Sequence, residues 1–199
     1  MGRALALLLA FGATVGTLLD AFHTFSGTTA YTHPVVLSTA WWAPLLFASA
    51  YGFGGLLYAR GFARLGGRRP AAGPVTLGAG LGVFAAIYAL SAWLPPHAKL
   101  VVVSACALGA FLAFDRTRAG LLLGLVSAFL GPLAEVLLIR AGMFRHLAPD
   151  VLGVPFWLPA LYFSAGPTFG AFARSVVAHP VANESGGPAR AQGLPGATH

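Results

Sequence analysis

Charge is what this sequence has least of. Of its 199 residues, 9% are Asp, Glu, Lys or Arg, while 57% are hydrophobic. A water-soluble domain carries roughly 25% charged residues, so a fully hydrated surface cannot be built from this set and a soluble globular fold is excluded. The bilayer must take the place of water around most of the chain. Only one cysteine is present, Cys106, inside an apolar run, so there is no disulfide framework. Paired Cys-x-x-Cys, a phosphate-binding Gly-rich loop, a nucleophile elbow and a histidine box are also missing. The four outer histidines, His23, His33, His97 and His146, include no His-x-x-x-His pair, so no metal site is expected. Nothing in the pattern supports catalysis. The net charge of +7 would suit nucleic acid, but the basic residues cluster between apolar runs, as membrane loop anchors do. Lys99 is the only lysine among 12 basic residues and Gly, Ala and Arg abound, a composition that points to a GC-rich, bacterial genome.

What is present is a series of apolar runs at about residues 4–22, 37–59, 74–93, 98–114, 119–141 and 155–177. Each approaches the roughly 20 residues that span a bilayer as a helix. The expected fold is therefore an all-α integral membrane protein of six transmembrane helices, with a transmembrane domain at 1–179 and a polar, Gly- and Pro-rich disordered tail at 180–199. The first run lacks a small-x-small cleavage site and reads as a helix, not a signal peptide. Ala6 breaks the myristoylation pattern. With the N-terminus inside, nine arginines (Arg3, Arg60, Arg64, Arg68, Arg69, Arg116, Arg118, Arg174 and Arg190) face the cytoplasm, and Lys99, Arg140 and Arg145 face outward. That is the bias of the positive-inside rule. Both termini are expected in the cytoplasm and the protein in a bacterial plasma membrane.

Within the runs, Pro44, Pro132, Pro159 and Pro167 are expected to kink their helices, which either opens a cavity or is simply tolerated. Gly12/Gly16, Gly120/Gly124 and Gly166/Gly170 have the Gly-x-x-x-Gly spacing of close helix packing. Asp20 and Glu135 extend two such stripes. An intramembrane carboxylate facing lipid costs at least about 2.5 kcal/mol, so Glu135 is expected to face the bundle interior. There it is either a polar hook for a lipid head group or a structural hydrogen-bonding group. Asp20, nearer the edge, is either a second hook or a solvated helix end.

Three stretches carry a resemblance. They are Ser38-Thr-Ala-Trp-Trp-Ala-Pro44 with Gly55-Leu-Leu-Tyr58; Phe114-Asp-Arg-Thr-Arg-Ala-Gly120 leading to Gly124 and Ala128-Phe-Leu130; and Trp157-Leu-Pro159 with Phe163-Ser-Ala-Gly166 and Gly170 through Arg174. In this order they resemble the Insig family of membrane sterol sensors over residues 4–178. The resemblance implies six helices, cytosolic termini and a central lipid-accessible pocket. In animal relatives that pocket takes oxysterols, and the protein retains Scap and promotes reductase degradation. It also implies that Asp115, with Arg116 and Arg118, faces a cytoplasmic partner. Ala98 and Phe111 stand where animal members have Gln and Trp, so sterol-sensing-domain partners are not expected. The expected ligand is a sterol-like or diacylglycerol-like lipid held by Asp20, Ser104, Phe111, Ser127 and Glu135, with no other cofactor. The function is that of a sensor or regulator, with a small transporter or flippase as the alternative. Glycine faces also suggest a homo-oligomer.

Overall fold

A computed structural model describes residues 2–68 and 72–178; the predicted tail and Arg69 lie outside the described residues. The chain begins with α1 (Gly2–Phe11), a π-helical turn (Gly12–Gly16) and α2 (Thr17–Phe25), which together make one continuous span. Three short strands follow, β1 (Thr29–Tyr31), β2 (Pro34–Val36) and β3 (Thr39–Ala40). The helices α3 (Ala43–Arg64), α4 (Pro74–Trp93), α5 (Pro96–Phe114) and α6 (Arg118–Arg140) come next. The described chain closes with β4 (Phe144–His146), α7 (Leu158–Ala165) and α8 (Phe169–Ala178). It is an all-α membrane protein. Among the described residues, four segments, Gly2–Phe25, α4, α5 and α6, are both long and apolar enough to cross a bilayer. The two remaining expected spans differ from that simple form. α3 has 22 residues but carries Arg60 and Arg64 in its last turns. α7 and α8 are two half-length helices separated at 166–168.

The sequence placed all four prolines inside spans. The structure puts Pro44 and Pro159 in the first turns of α3 and α7, where the missing N–H would have no helical partner anyway. Pro167 sits in the break between α7 and α8, and Pro132 alone lies inside a helix, α6. The run expected at 37–59 also shifts. Residues 34–40 form the β2–β3 hairpin, and α3 starts six residues later and continues to Arg64.

Glycine spacing does its work inside the molecule. A Cβ on Gly12 would collide with the Phe47 carbonyl oxygen, and one on Gly16 would lie 2.9 Å from Phe47 Cβ, so the first span meets α3 backbone to backbone at Gly12 and backbone to side chain at Gly16. Gly124 faces Phe163, and Gly170 faces the Tyr58 ring. Between these contacts the core is aromatic. Phe11, Tyr51 and Phe169 are clustered, with the Tyr51 and Phe169 rings 4.8 Å apart edge to face.

The two ends of the bundle differ. At the end carrying Lys99, Arg140 and Arg145, called outer after the charge count, β1 and β4 pair antiparallel, with Thr29 opposite His146 and Tyr31 opposite Phe144. The inner end carries Arg116, Arg118 and Arg174.

Candidate functional site

A cavity of about 460 Å³ lies between α2, α3, α6 and α7, beneath the β1–β4 ribbon. The ribbon caps it because of strand periodicity. Thr29, Tyr31, Phe144 and His146 alternate onto one face and all four line the cavity, while the intervening Arg145 is exposed on the other. The walls are mostly apolar and open sideways. Ala50, Gly54 and Leu57 on α3, at helical spacing, and Val126, Leu130 and Ala134 on α6 both line the cavity and face outward. Leu57 is 66% exposed and Leu130 54%. Gly54 has open space where a Cβ would stand, whereas Gly61 meets Leu123 at 3.2 Å. The two helices therefore touch near the inner end and part toward the outer one, leaving a lateral portal to the bilayer.

The outer end of the cavity is polar. Glu135 is gripped at both oxygens: Tyr162 donates its hydroxyl to Oε1 at 2.7 Å, and His146 Nε2 lies 2.7 Å from Oε2. Facing it from α2, Asp20 Oδ2 accepts the Tyr31 hydroxyl at 2.8 Å. Burial, and next the Asp20 carboxylate, push the Tyr31 hydroxyl far above the ordinary tyrosine range, so it remains a donor. His23 Nε2 meets Ser91 Oγ at 2.9 Å, and that hydroxyl donates to the Tyr88 carbonyl, which leaves His23 the donor. The His23 ring is held between Tyr88 and Trp157. Lys99 lies just outside the lining. Its Nζ donates to Thr28 Oγ1 and the Ala92 carbonyl, both at 3.2 Å, and sits 5.5 Å over the Trp157 ring.

Of the lipid-site residues expected from sequence, Asp20, Ser127 and Glu135 line the cavity. The Ser127 hydroxyl, however, donates back to the Leu123 carbonyl. Ser104 and Phe111 do not line it. α5 packs against α4 and α7 on the far side of the bundle, and Phe111 spends its ring on Phe163, centroids 5.9 Å apart. Sequence reasoning missed Tyr31, His146 and Tyr162. The alternation in Thr-Ala-Tyr and Phe-Arg-His was the available signal for the first two.

Asp115 needs a correction. It was expected to face a partner, yet it is fully buried. Its Oδ1 accepts Thr117 N at 3.1 Å and Thr117 Oγ1 at 2.5 Å, and its Oδ2 lies 3.6 Å from Arg174 Nη1. Thr117 in turn caps α6 through Gly120 N at 2.9 Å. A Cβ on Gly120 would fall 2.1 Å from the Asp115 carboxylate, so that glycine makes room for an acid as well as for helix packing. The exposed groups of this loop are Arg116 and Arg118. Arg174 also covers Phe62, its guanidinium carbon 4.1 Å from the ring centre.

The Insulin-induced gene 1 protein of Cricetulus griseus is 31% identical to the chain over 180 residues, covering 85% of this chain and 69% of that protein. The chain belongs to the Insig family. The Rattus norvegicus protein of the same name gives 31% over 180 residues, with 85% and 68% covered. The crystal structure of the mycobacterial Insig homolog MvINS from Mycobacterium vanbaalenii matches with a TM-score of 0.75 at 23% identity, covering 89% of this chain and 95% of that one. It shows the same fold. MvINS has also been crystallised as a cross-linked trimer, with the same TM-score. No protein-family model matches the sequence. This Insig-family chain is thus an integral membrane protein built around a laterally open, polar-ended cavity.

Proposed function

We propose that this Insig-like protein holds a diacylglycerol-like or sterol-like lipid in the central cavity and acts as a membrane sensor or regulator without catalysis. The observation that carries the reading is the cavity itself, apolar along its walls, polar at its outer end and open to the bilayer between α3 and α6. Its volume falls in the roughly 300–1,000 Å³ range of small-molecule sites. It takes the head and upper chains of a two-tailed lipid, and the portal lets the rest lie among neighbouring lipids. Apolar walls supply most of the affinity, at roughly 0.8 kcal/mol per buried methylene, less the cost of ordering the chains. Family membership supports a regulatory role. Six crossings with both termini cytoplasmic, in a bacterial plasma membrane, fit the segregation of cations and the mycobacterial fold relative. A homo-oligomer is supported by the trimer of that relative and by Gly78 and Gly82 on α4, whose small faces meet nothing within 4 Å.

A transporter or flippase is the second reading, favoured by the break at 166–168 beside the cavity. Two measurements separate them. Purification in mild detergent followed by lipid mass spectrometry is expected to yield one hydroxyl-bearing lipid at stoichiometric level, and its absence would remove the support for binding. Proteoliposomes carrying a fluorescent lipid are expected to show no protein-dependent transbilayer movement; accelerated movement would favour transport.

A further inference from the structure

We infer that the cavity is the hollow of a duplicated helical hairpin with two equivalent side seams, and that lipid enters and leaves through only one of them. This rests on the reading of the cavity as a lipid site and adds its route of access. The duplication is legible in the chain. Residues 16–55 superpose on 131–170 without a gap and with 12 of 40 positions identical, among them Val36-Leu37, Trp42 and Pro44 against Val151-Leu152, Trp157 and Pro159. The backbone repeats with the sequence. Leu37 and Leu152 share a left-handed φ of 52°, and Trp42 and Trp157 cap α3 and α7 with nearly the same dihedrals. Gly16 packs on Phe47 as Gly131 packs on Tyr162. The Asp20–Tyr31 hydrogen bond recurs as Glu135–His146. In the ribbon, Ala30 faces Arg145, its own counterpart. The bond from Thr32 N to the Met143 carbonyl is matched there by one from Leu147 N to the Thr28 carbonyl. The first span with α3, and α6 with α7–α8, are thus related by a pseudo-twofold axis through the ribbon, as parallel repeats in a membrane are. α4 and α5 stand outside the repeat.

The symmetry makes the two seams directly comparable. The portal lies between α3 and α6, and its equivalent lies between α7–α8 and the first span. At the portal, Gly54 and Leu57 stand across from Val126, and Gly54 has open space where a Cβ would be. The same three places in the other seam are held by Phe169, Phe172 and Phe11. The Phe11 ring is stacked 5.4 Å from Phe169 and lies 5.0 Å from Phe172, so three rings fill what a glycine leaves open on the other side. α4 packs across this closed seam, against α2, α7 and α8, with Phe84 and Tyr88 buried. A two-tailed lipid passing there must part the rings and displace a helix. At the portal it displaces only other lipid.

The test uses the full-length protein in nanodiscs, carrying Cys106→Ser, Gly54→Cys and Leu130→Cys. Both introduced thiols stand 7 residues outward of the Gly61–Leu123 contact on their helices. A fluorescent diacylglycerol is loaded first, and a reducible thiol-to-thiol linker then joins α3 to α6. Its exchange with liposomes carrying unlabelled diacylglycerol is followed before and after reduction. Linking is expected to slow exchange at least about tenfold and reduction to restore it, since a gate acts on rates. Within the linked protein, Phe11→Val with Phe172→Leu, which installs the residues of the open seam, is expected to speed exchange again. If that variant does not fold, the linked and reduced states alone decide the route. Exchange untouched by the linker would overturn the single route while leaving the lipid site standing. No gain from loosening the rings would overturn their part in the seal. Failure of the wild-type protein to take up the reporter would remove both readings.

Discussion

Gly131→Ala offers a sharp test of the cavity's geometry. A Cβ at this position on α6 would lie 2.1 Å from Tyr162 Cδ1, against 3.4 Å or more for ordinary contact, so the ring must retreat by about 1.3 Å. The same ring carries the hydroxyl that donates to Glu135 Oε1 at 2.7 Å, and such a retreat stretches that bond past its useful range. Losing a hydrogen bond to a charged group costs about 1.5–3 kcal/mol. Overpacking adds about 1–3 kcal/mol, and replacing a helical glycine returns roughly 0.5–1 kcal/mol. The net destabilisation is about 2–5 kcal/mol, which at roughly 2–4 °C per kcal/mol for a chain of this size lowers Tm by about 4–20 °C. Gly109→Ala on α5, where a Cβ meets nothing within 4 Å, is the matched control and should hold or slightly raise Tm. Thermal unfolding in one detergent, followed by intrinsic fluorescence, reads both. Equal melting of the two variants would refute the contact between α6 and Tyr162.

Asp115→Ala should destabilise by about 3 kcal/mol, the lower part of the range for breaking a buried pair, because Arg174 keeps some access to water and its stack on Phe62. Asp115→Asn, which retains an acceptor for Thr117, should lose clearly less, and equal losses in the two melts would contradict the pairing. Tyr31 supplies a pH dependence. Its folded-state pKa is raised above the unfolded value, so its contribution is complete below about pH 10 and is lost as pH rises beyond that. Tyr31→Phe should flatten the alkaline fall in Tm, and an unchanged slope would count against the buried Asp20–Tyr31 pair. Single cysteines at Arg116→Cys and Arg145→Cys, in a Cys106→Ser background, should react with an impermeant maleimide from opposite sides of the membrane; labelling from one side would reject the orientation.

Much of the fold was legible because a bilayer imposes a length on its helices. The run read at 74–93 is α4, and those at 98–114 and 119–141 differ from α5 and α6 by a residue or two. α3 was misplaced for a physical reason. Its final turns, through Arg60 and Arg64, are too polar to register as a span, yet Phe62 in them is buried beneath Arg174. Conversely, the run read from Leu37 begins inside the β2–β3 hairpin, where Leu37 is exposed. At the site, Glu135 stood out as a carboxylate deep in an apolar run, where its cost demands an interior position, while Asp20, nearer the edge, read equally as a hook or a solvated helix end. Their partners did not, because Tyr31, His146 and Tyr162 reach them only through the pairing of β1 with β4 and the packing of α7 on α6. Asp115 misled in the opposite direction. A charged loop reads as solvated, and only the fold shows Thr117, Gly120 and Arg174 enclosing the acid.

The most direct measurement is an experimental map, by crystallography or electron microscopy, of protein purified without added lipid. A lipid-binding cavity predicts continuous density for one amphiphile between α3 and α6, its polar tip within hydrogen-bonding distance of Asp20 or Glu135 and its tails leaving past Gly54. A map in which Leu130, Tyr162 and Phe47 have collapsed to fill that space, with no lipid in the cavity, would contradict it.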